Sequence, residues 1–249
     1  MAVVLKTSQE IEKMRRAGQV VREVLELVRS KVKPGATTYE LEMAAVDRLK
    51  ELGVKPAFKG YHGYPCVLCT SVNSEVVHGI PSPKRLLKAG DIVSVDFGVV
   101  VDGYFGDAAI TVPVGEIDAK AAKLLRVTEE SLKAGIAVVR PGATLGDVGA
   151  AVQGVVEREG FSVVRDFVGH GIGVQMHEDP QVPNYGEAGR GLKLKQGMVI
   201  AIEPMVNAGK PDVVVLDDGW TAVAKDGSMS AHFEHTVAVT ATGSRILTD

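Results

Sequence analysis

The chain has little cysteine, no long apolar run and no excess of one charge. Two cysteines in 249 residues cannot build a disulfide framework. No apolar stretch approaches the ~20 residues of a membrane span. The net charge of −3 and the isoelectric point near 6.1 exclude the basic footprint of a nucleic-acid or anionic-membrane binder. The opening "MAVVLKTSQEIEKM" is a short apolar patch followed by a helix start, not a signal peptide. A cytoplasmic protein is therefore expected. The hydrophobic content of 45% is ordinary, and 249 residues suffice for one large domain or two small ones.

Cys66 and Cys69 form the motif "CVLC". A zinc site needs two further soft ligands, and no other cysteine exists. A thioredoxin-like site needs the motif at a helix start. The surrounding "YPCVLCTSVN" reads as strand instead, with two small residues in it.

What is present is a pair of carboxylates inside an apolar pattern. "VSVDFGVVVDGYFGDAAITV" spans Val93 to Val112 and holds Asp96 and Asp107. Asp102-Gly103 has the composition of a two-residue hairpin turn, in which both residues take positive φ. That turn sets Val101 opposite Tyr104 and Gly98 opposite Asp107. Residues two apart on a strand share a face, so Asp96 and Asp107 become diagonal neighbours, about 7–8 Å apart in backbone. Two ionised carboxylates there repel, unless one takes a proton or a cation sits between them.

The sequence also repeats itself. "KPGATTYELEMAAVDRLKELG" (Lys33 to Gly53) and "RPGATLGDVGAAVQGVVEREG" (Arg140 to Gly160) are offset by 107. Each opens with a turn, caps a helix with Thr37 or Thr144, and stops it with glycine. A helical stretch precedes each, over roughly 8–31 and 118–138. "LKAGDIVSVDF" from Leu87 and "LKQGMVIAIEP" from Leu194 keep the same offset, which aligns Asp96 with Glu203. The period is too long for a solenoid. A duplicated α+β half within one domain (1–249, halves roughly 8–112 and 115–240) is expected, with both carboxylates brought to a central site.

The polar residues set in apolar or glycine-rich context are His78, Asp96, Asp107, His170, His177, Glu203 and Glu234. His170 in "VGHGIG" lacks the following helix that a phosphate loop uses. Glu178 and Asp179 read as solvated loop charges. His232 and His235 flank Glu234 and are set aside as pointing away from it. Four carboxylates and one histidine suit two hard or borderline divalent ions, whose combined charge the carboxylates balance. Such a pair holds a hydroxide at neutral pH, a nucleophile for an amide carbonyl. Two further histidines are then free for charge and proton handling. The chain has no H-E-x-x-H helix and no G-x-S-x-G elbow.

At these positions the whole chain resembles the methionine aminopeptidases of the short type I class and the wider pita-bread metallohydrolases. The words that carry the resemblance include "YHGYPCVLCTSVN", "VVHGIP", "GHGIG", "MHEDPQVPN" and "DGWTAVAKDGSMSAHFEHTV". The resemblance implies a pita-bread α+β fold, with two pseudo-symmetric halves, an antiparallel sheet and outer helices around a dinuclear metal site. It implies Asp96 on one metal, His170 and Glu203 on the other, and Asp107 and Glu234 bridging both. It gives His78 and His177 roles on the substrate amide and the tetrahedral intermediate, and Glu203 a second role as proton shuttle. The implied methionine pocket falls on Tyr61, Tyr64, Cys69, His78, Met176 and Trp220, with Met176 where members often carry phenylalanine; His177 is implied to bind substrate beside it. A sulfur-and-aromatic pocket suits a thioether. The implied substrates are N-terminal methionyl peptides and nascent chains at the ribosome, with a small second residue. The implied cofactors are two divalent ions, Mn, Fe, Co or Zn, in a monomer. A short form is expected, without a zinc-finger extension, a type II insertion or a prolidase-like N-terminal domain. A proline-specific peptidase and a metal-free binding module are the alternatives.

Overall fold

Helix starts are written locally. The computed structural model describes residues 3–249. The α-helices among them are α1 (Ser8–Lys31), α2 (Thr38–Leu52), α3 (Ala119–Ala137) and α4 (Leu145–Arg158). Thr7, Thr37 and Thr144 close capping boxes with Glu10, Glu40 and Asp147, so two otherwise orphaned N–H groups at each start find acceptors. α2 ends on Gly53 in the left-handed region, and Gly160 follows the end of α4 with φ 83°.

The repeat reappears as repeated hydrogen bonds. Gly35 N–H donates to the Leu87 carbonyl and Gly142 N–H to the Leu194 carbonyl, both at 2.9 Å. Leu87 N–H donates back to Ala36 at 2.8 Å, and Leu194 N–H to Ala143 at 2.7 Å. The bridges Thr37–Leu86 and Thr144–Lys193 complete the match. The turns that open α2 and α4 are thus each fastened by the same contact to the segment that leads into a sheet strand of its own half.

The main sheet has nine strands, and every pairing within it is antiparallel. Its first half centres on the hairpin Ile92–Val101 and Tyr104–Pro113, in the register expected from the turn. Asp102 and Gly103 take φ of 51° and 81°. Leu68–Val72 flanks the hairpin on one side and Glu234–Val239 on the other, followed by Val199–Ile202, Gly169–Gly171 and Glu178–Val182. Alternation separates two faces. Val93, Val95, Phe97, Val99 and Ala108 pack on Val21, Val24 and Val28 of α1. In the second half Ile200, Ile202, Val237 and Val239 pack on Leu132 and Ile136 of α3 and Val148 of α4. Full burial of such side chains contributes about 1.5–3 kcal/mol each, so the helix-side face anchors the sheet. The opposite face carries Cys69, Asp96, Ala109 and Glu234 in one row across four strands. No helix among the described residues is long and apolar enough to cross a membrane.

The approach of α1 depends on Gly106. A Cβ there would lie 2.9 Å from the Ala17 carbonyl carbon and the Gly18 nitrogen, both helix backbone. Gly106→Ala is expected to destabilise the fold by about 1–3 kcal/mol, the usual range for overpacking. Urea denaturation measures it. An unchanged midpoint would mean that α1 does not cross the hairpin at this residue.

Candidate metal centre

The carboxylates arrive from both halves of the sheet. Asp96 and Asp107 come from the hairpin, and Glu234 sits beside Ala109, the residue opposite Asp96. Alanine at that point leaves the space between the carboxylates open. Gly98, opposite Asp107, does the same, since a Cβ there would meet Phe58 at 2.7 Å and Asp107 Oδ1 at 3.3 Å. Glu203 follows the strand Val199–Ile202, and its carbonyl accepts Asn184 Nδ2–H at 2.9 Å.

His170 comes from the strand Gly169–Gly171. Its Nδ1–H donates to the Gly171 carbonyl at 2.9 Å, which leaves the Nε2 lone pair free. Nε2 lies 3.6 Å from Glu203 Oε1 and 3.9 Å from Asp107 Oδ2. Ligand atoms of Asp107, His170 and Glu234 all fall within 4.8 Å of one another.

The electrostatics of this cluster are those of a cation site. Burial pushes the carboxyls of Asp96, Asp107, Glu203 and Glu234 up, and their mutual repulsion raises Asp107, Glu203 and Glu234 further. Burial, with His177 nearby, takes His170 down to about 3, so it is neutral. Among the described residues no lysine or arginine pairs with any of the four carboxylates; their ion-pair contacts are to His170 and His232. Asp96 Oδ1, Asp107 Oδ1 and Glu234 Oε1 are buried with no hydrogen-bond partner. Unsatisfied buried oxygens of this kind are costly. Hard or borderline divalent ions match the donor set of carboxylate oxygens and one imidazole, so the residues present fit a metal.

All the residues nominated from sequence line one cavity of about 290 Å³. The carboxylates and His170 share it with an aromatic and sulfur-bearing wall. Tyr64 donates its hydroxyl to the carbonyls of Leu68 and Gly79 and meets Trp220 edge-on at 5.1 Å. Cys69 and Met176 pack in the same cluster as Tyr64 and Phe58. His78 lies between Phe167, at 5.5 Å, and Trp220, at 6.4 Å, and burial brings it down to about 4. His177 stacks edge-on against His170 at 4.2 Å, and its Nδ1 is 2.6 Å from the Tyr61 hydroxyl. Phe58, His62, Phe167 and Met205 also line the cavity. Nothing polar or periodic marks Phe58, Phe167 and Met205 in the sequence; His62 is polar, but no apolar pattern of the kind around His78 and His170 singles it out.

Three sequence expectations are corrected. His232 does not point away from the site: its Nε2 lies 3.8 Å from Glu203 Oε2, and it is buried without a hydrogen-bond partner. It stands two residues before Glu234, and a period of two puts it on the same side; only His235 faces away, with Nδ1 2.8 Å from Thr248 Oγ1. Glu178 is not a solvated loop charge but one half of a buried ion pair with Lys6. The strand begins at Leu68, so Cys69 is in it and Cys66 precedes it; both are free thiols.

Known proteins place this arrangement. The sequence matches the model of metallopeptidase family M24 over residues 12–241. A methionine aminopeptidase of Clostridium acetobutylicum is 51% identical over 246 residues, 99% of this chain and 98% of that one. Methionine aminopeptidase 1 of Bacillus subtilis is also 51% identical, over 99% of each chain. The crystal structure of a methionine aminopeptidase from Thermotoga maritima has a TM-score of 0.98 at 52% identity, over the full length of both chains. The prolidase of Pyrococcus horikoshii shares the fold, with a TM-score of 0.80 at 24% identity, and this chain covers 63% of it. The family match takes in every residue placed at the cavity, and the chain belongs to metallopeptidase family M24.

Proposed function

We propose that this chain is a metal-dependent aminopeptidase, a single catalytic domain that hydrolyses the bond after an N-terminal methionine. The observation that carries the reading is the convergence of Asp96, Asp107, His170, Glu203 and Glu234 at one end of a cavity walled by Tyr64, Cys69, Met176 and Trp220. Those five residues would hold two divalent ions, Mn, Fe, Co or Zn according to availability. When bound, such ions supply Lewis acidity toward the scissile carbonyl and a water acidified to near neutral pH.

The chain's own groups do the rest. His78 is neutral and donates a ring N–H to the substrate amide. Burial raises the Tyr61 hydroxyl, which keeps its proton, and in the tautomer this reading requires, the hydroxyl donates a hydrogen bond to His177 Nδ1. The other His177 nitrogen then carries the hydrogen that meets charge developing on the carbonyl oxygen. Glu203 takes the proton released by the attacking water and passes it toward the leaving amine. The soft wall of Cys69, Met176 and Trp220 takes the thioether. The substrates are methionyl peptides and newly made chains, met by a monomer in the cytoplasm near the ribosome.

Metal analysis with peptide hydrolysis tests this. Met-Ala-Ser is expected to be cleaved at least about 10-fold faster in kcat/KM than Leu-Ala-Ser, the lower end for a mis-sized apolar group. Met-Arg-Ser should also be poor if the chain has the preference for a small second residue that the family resemblance implies. Equal rates on Met-Ala and Met-Arg peptides, or faster cleavage of Xaa-Pro peptides, would favour the proline-specific alternative. An active chain free of metal would refute the metal assignment.

A further inference from the structure

We propose that the buried Lys6–Glu178 ion pair is a positioning device for substrate recognition, tying the segment before α1 to the loop that presents Met176 and His177. The proposal rests on the aminopeptidase reading above. Neither residue lines the cavity, and the pair joins positions far apart in the chain. The two side chains are only 4% and 7% exposed. Replacing such a pair with apolar residues is commonly neutral or stabilising, so stability alone is a poor reason for it. What the pair does is hold geometry.

Glu178 uses both oxygens. Oε2 takes the Lys6 ammonium, and Oε1 accepts N–H bonds from Val174 at 2.8 Å and Gln175 at 3.3 Å. The carboxylate therefore folds residues 174–178 back on themselves, with Met176 and His177 inside the bend. Lys6 is held on its own side. Its N–H donates to the Gly197 carbonyl at 2.7 Å, its ammonium also reaches the Val4 carbonyl at 3.1 Å, and Thr7 caps α1. Gly173 seals the contact: a Cβ there would sit 2.5 Å from both Lys6 Cε and Glu178 Oε1. The Gly173 carbonyl accepts Phe105 N–H at 2.8 Å, which fastens the bend to the strand that carries Asp107. Lys6 thus links α1, which backs the metal-bearing hairpin, to the loop that meets substrate on the other side.

The test uses the full metal-loaded chain and the variants Lys6→Met, Glu178→Met and both together. We expect kcat/KM on Met-Ala-Ser to fall about 10²-fold in each, the effect of a misplacement near 1 Å, with metal content unchanged. The preference for Met-Ala-Ser over Leu-Ala-Ser should fall with it. The double variant should melt like the parent yet keep the kinetic defect, a split that a purely structural role would not produce. A double variant with parental kcat/KM and parental side-chain preference would overturn the proposal. Amide exchange on the unmodified protein gives a second reading that needs no variant. The N–H groups of Val174 and Gln175 should exchange more slowly than unprotected amides at exposed loop positions, and exchange at the unprotected rate would overturn the tether. An unmodified chain inactive on Met-Ala-Ser would sink the aminopeptidase reading while leaving the exchange result to stand.

Discussion

Asp107→Ala should abolish peptide hydrolysis and strip the protein of metal. The carboxylate lies opposite Gly98, 3.9 Å from His170 Nε2, and its Oδ1 has no hydrogen-bond partner. Outer partners of metal ligands already cost about 10–100-fold in affinity when removed, and loss of a residue that would hold the metal directly should exceed that. Asp107→Asn sharpens the test, because it keeps volume and one neutral oxygen. The metal-free Asn variant should melt above the metal-free parent, since one buried carboxyl has left a cluster of four that repel and are poorly solvated. With metal added the order should reverse, because the parent gains more from binding. Calorimetry with and without metal reads both. A variant that holds metal as tightly as the parent and turns over normally would remove Asp107 from the ligand set.

The second large effect separates the three histidines of the cavity. His170, with its Nδ1 committed to the Gly171 carbonyl, has the geometry of a ligand. His78 and His177 face aromatic neighbours and the substrate space. His170→Ala should therefore weaken metal binding, and excess metal should restore part of the activity. His78→Ala and His177→Ala should keep metal and lose roughly 10²–10⁴-fold in turnover, the usual worth of a group acting on charge or protons in the transition state. Excess metal should rescue neither. A metal titration with kcat and KM for the three variants decides it. Rescue of His177→Ala by metal, with none needed by His170→Ala, would exchange their roles.

Much of this was legible before any coordinate. Asp102-Gly103 sets a turn through its own φ preferences, and a two-residue turn leaves one register for the strands beside it, so Asp96 and Asp107 had to share a face. Capping threonines and stop glycines act within four residues of themselves, and so the helix ends were written locally. The 107-residue offset could be read because both halves solve the same packing problem with the same words. Even the side taken by His232 follows from a period of two.

What remained hidden depends on which distant segments meet. Alternation gives a side, not a distance, and the approach of His232 to Glu203 exists only because Met205 pairs with His232. Phe58, Phe167 and Met205 look like any core residue until the sheet curls them into the cavity. Glu178 in "MHEDP" carries no local mark of burial. Its state is set by Lys6, brought from the other end of the chain, because a charge can be taken out of water only where an opposite charge and backbone donors wait for it. Composition and period determined the elements, their faces and the kind of chemistry; tertiary packing alone decided which buried charges share a site and which brace it.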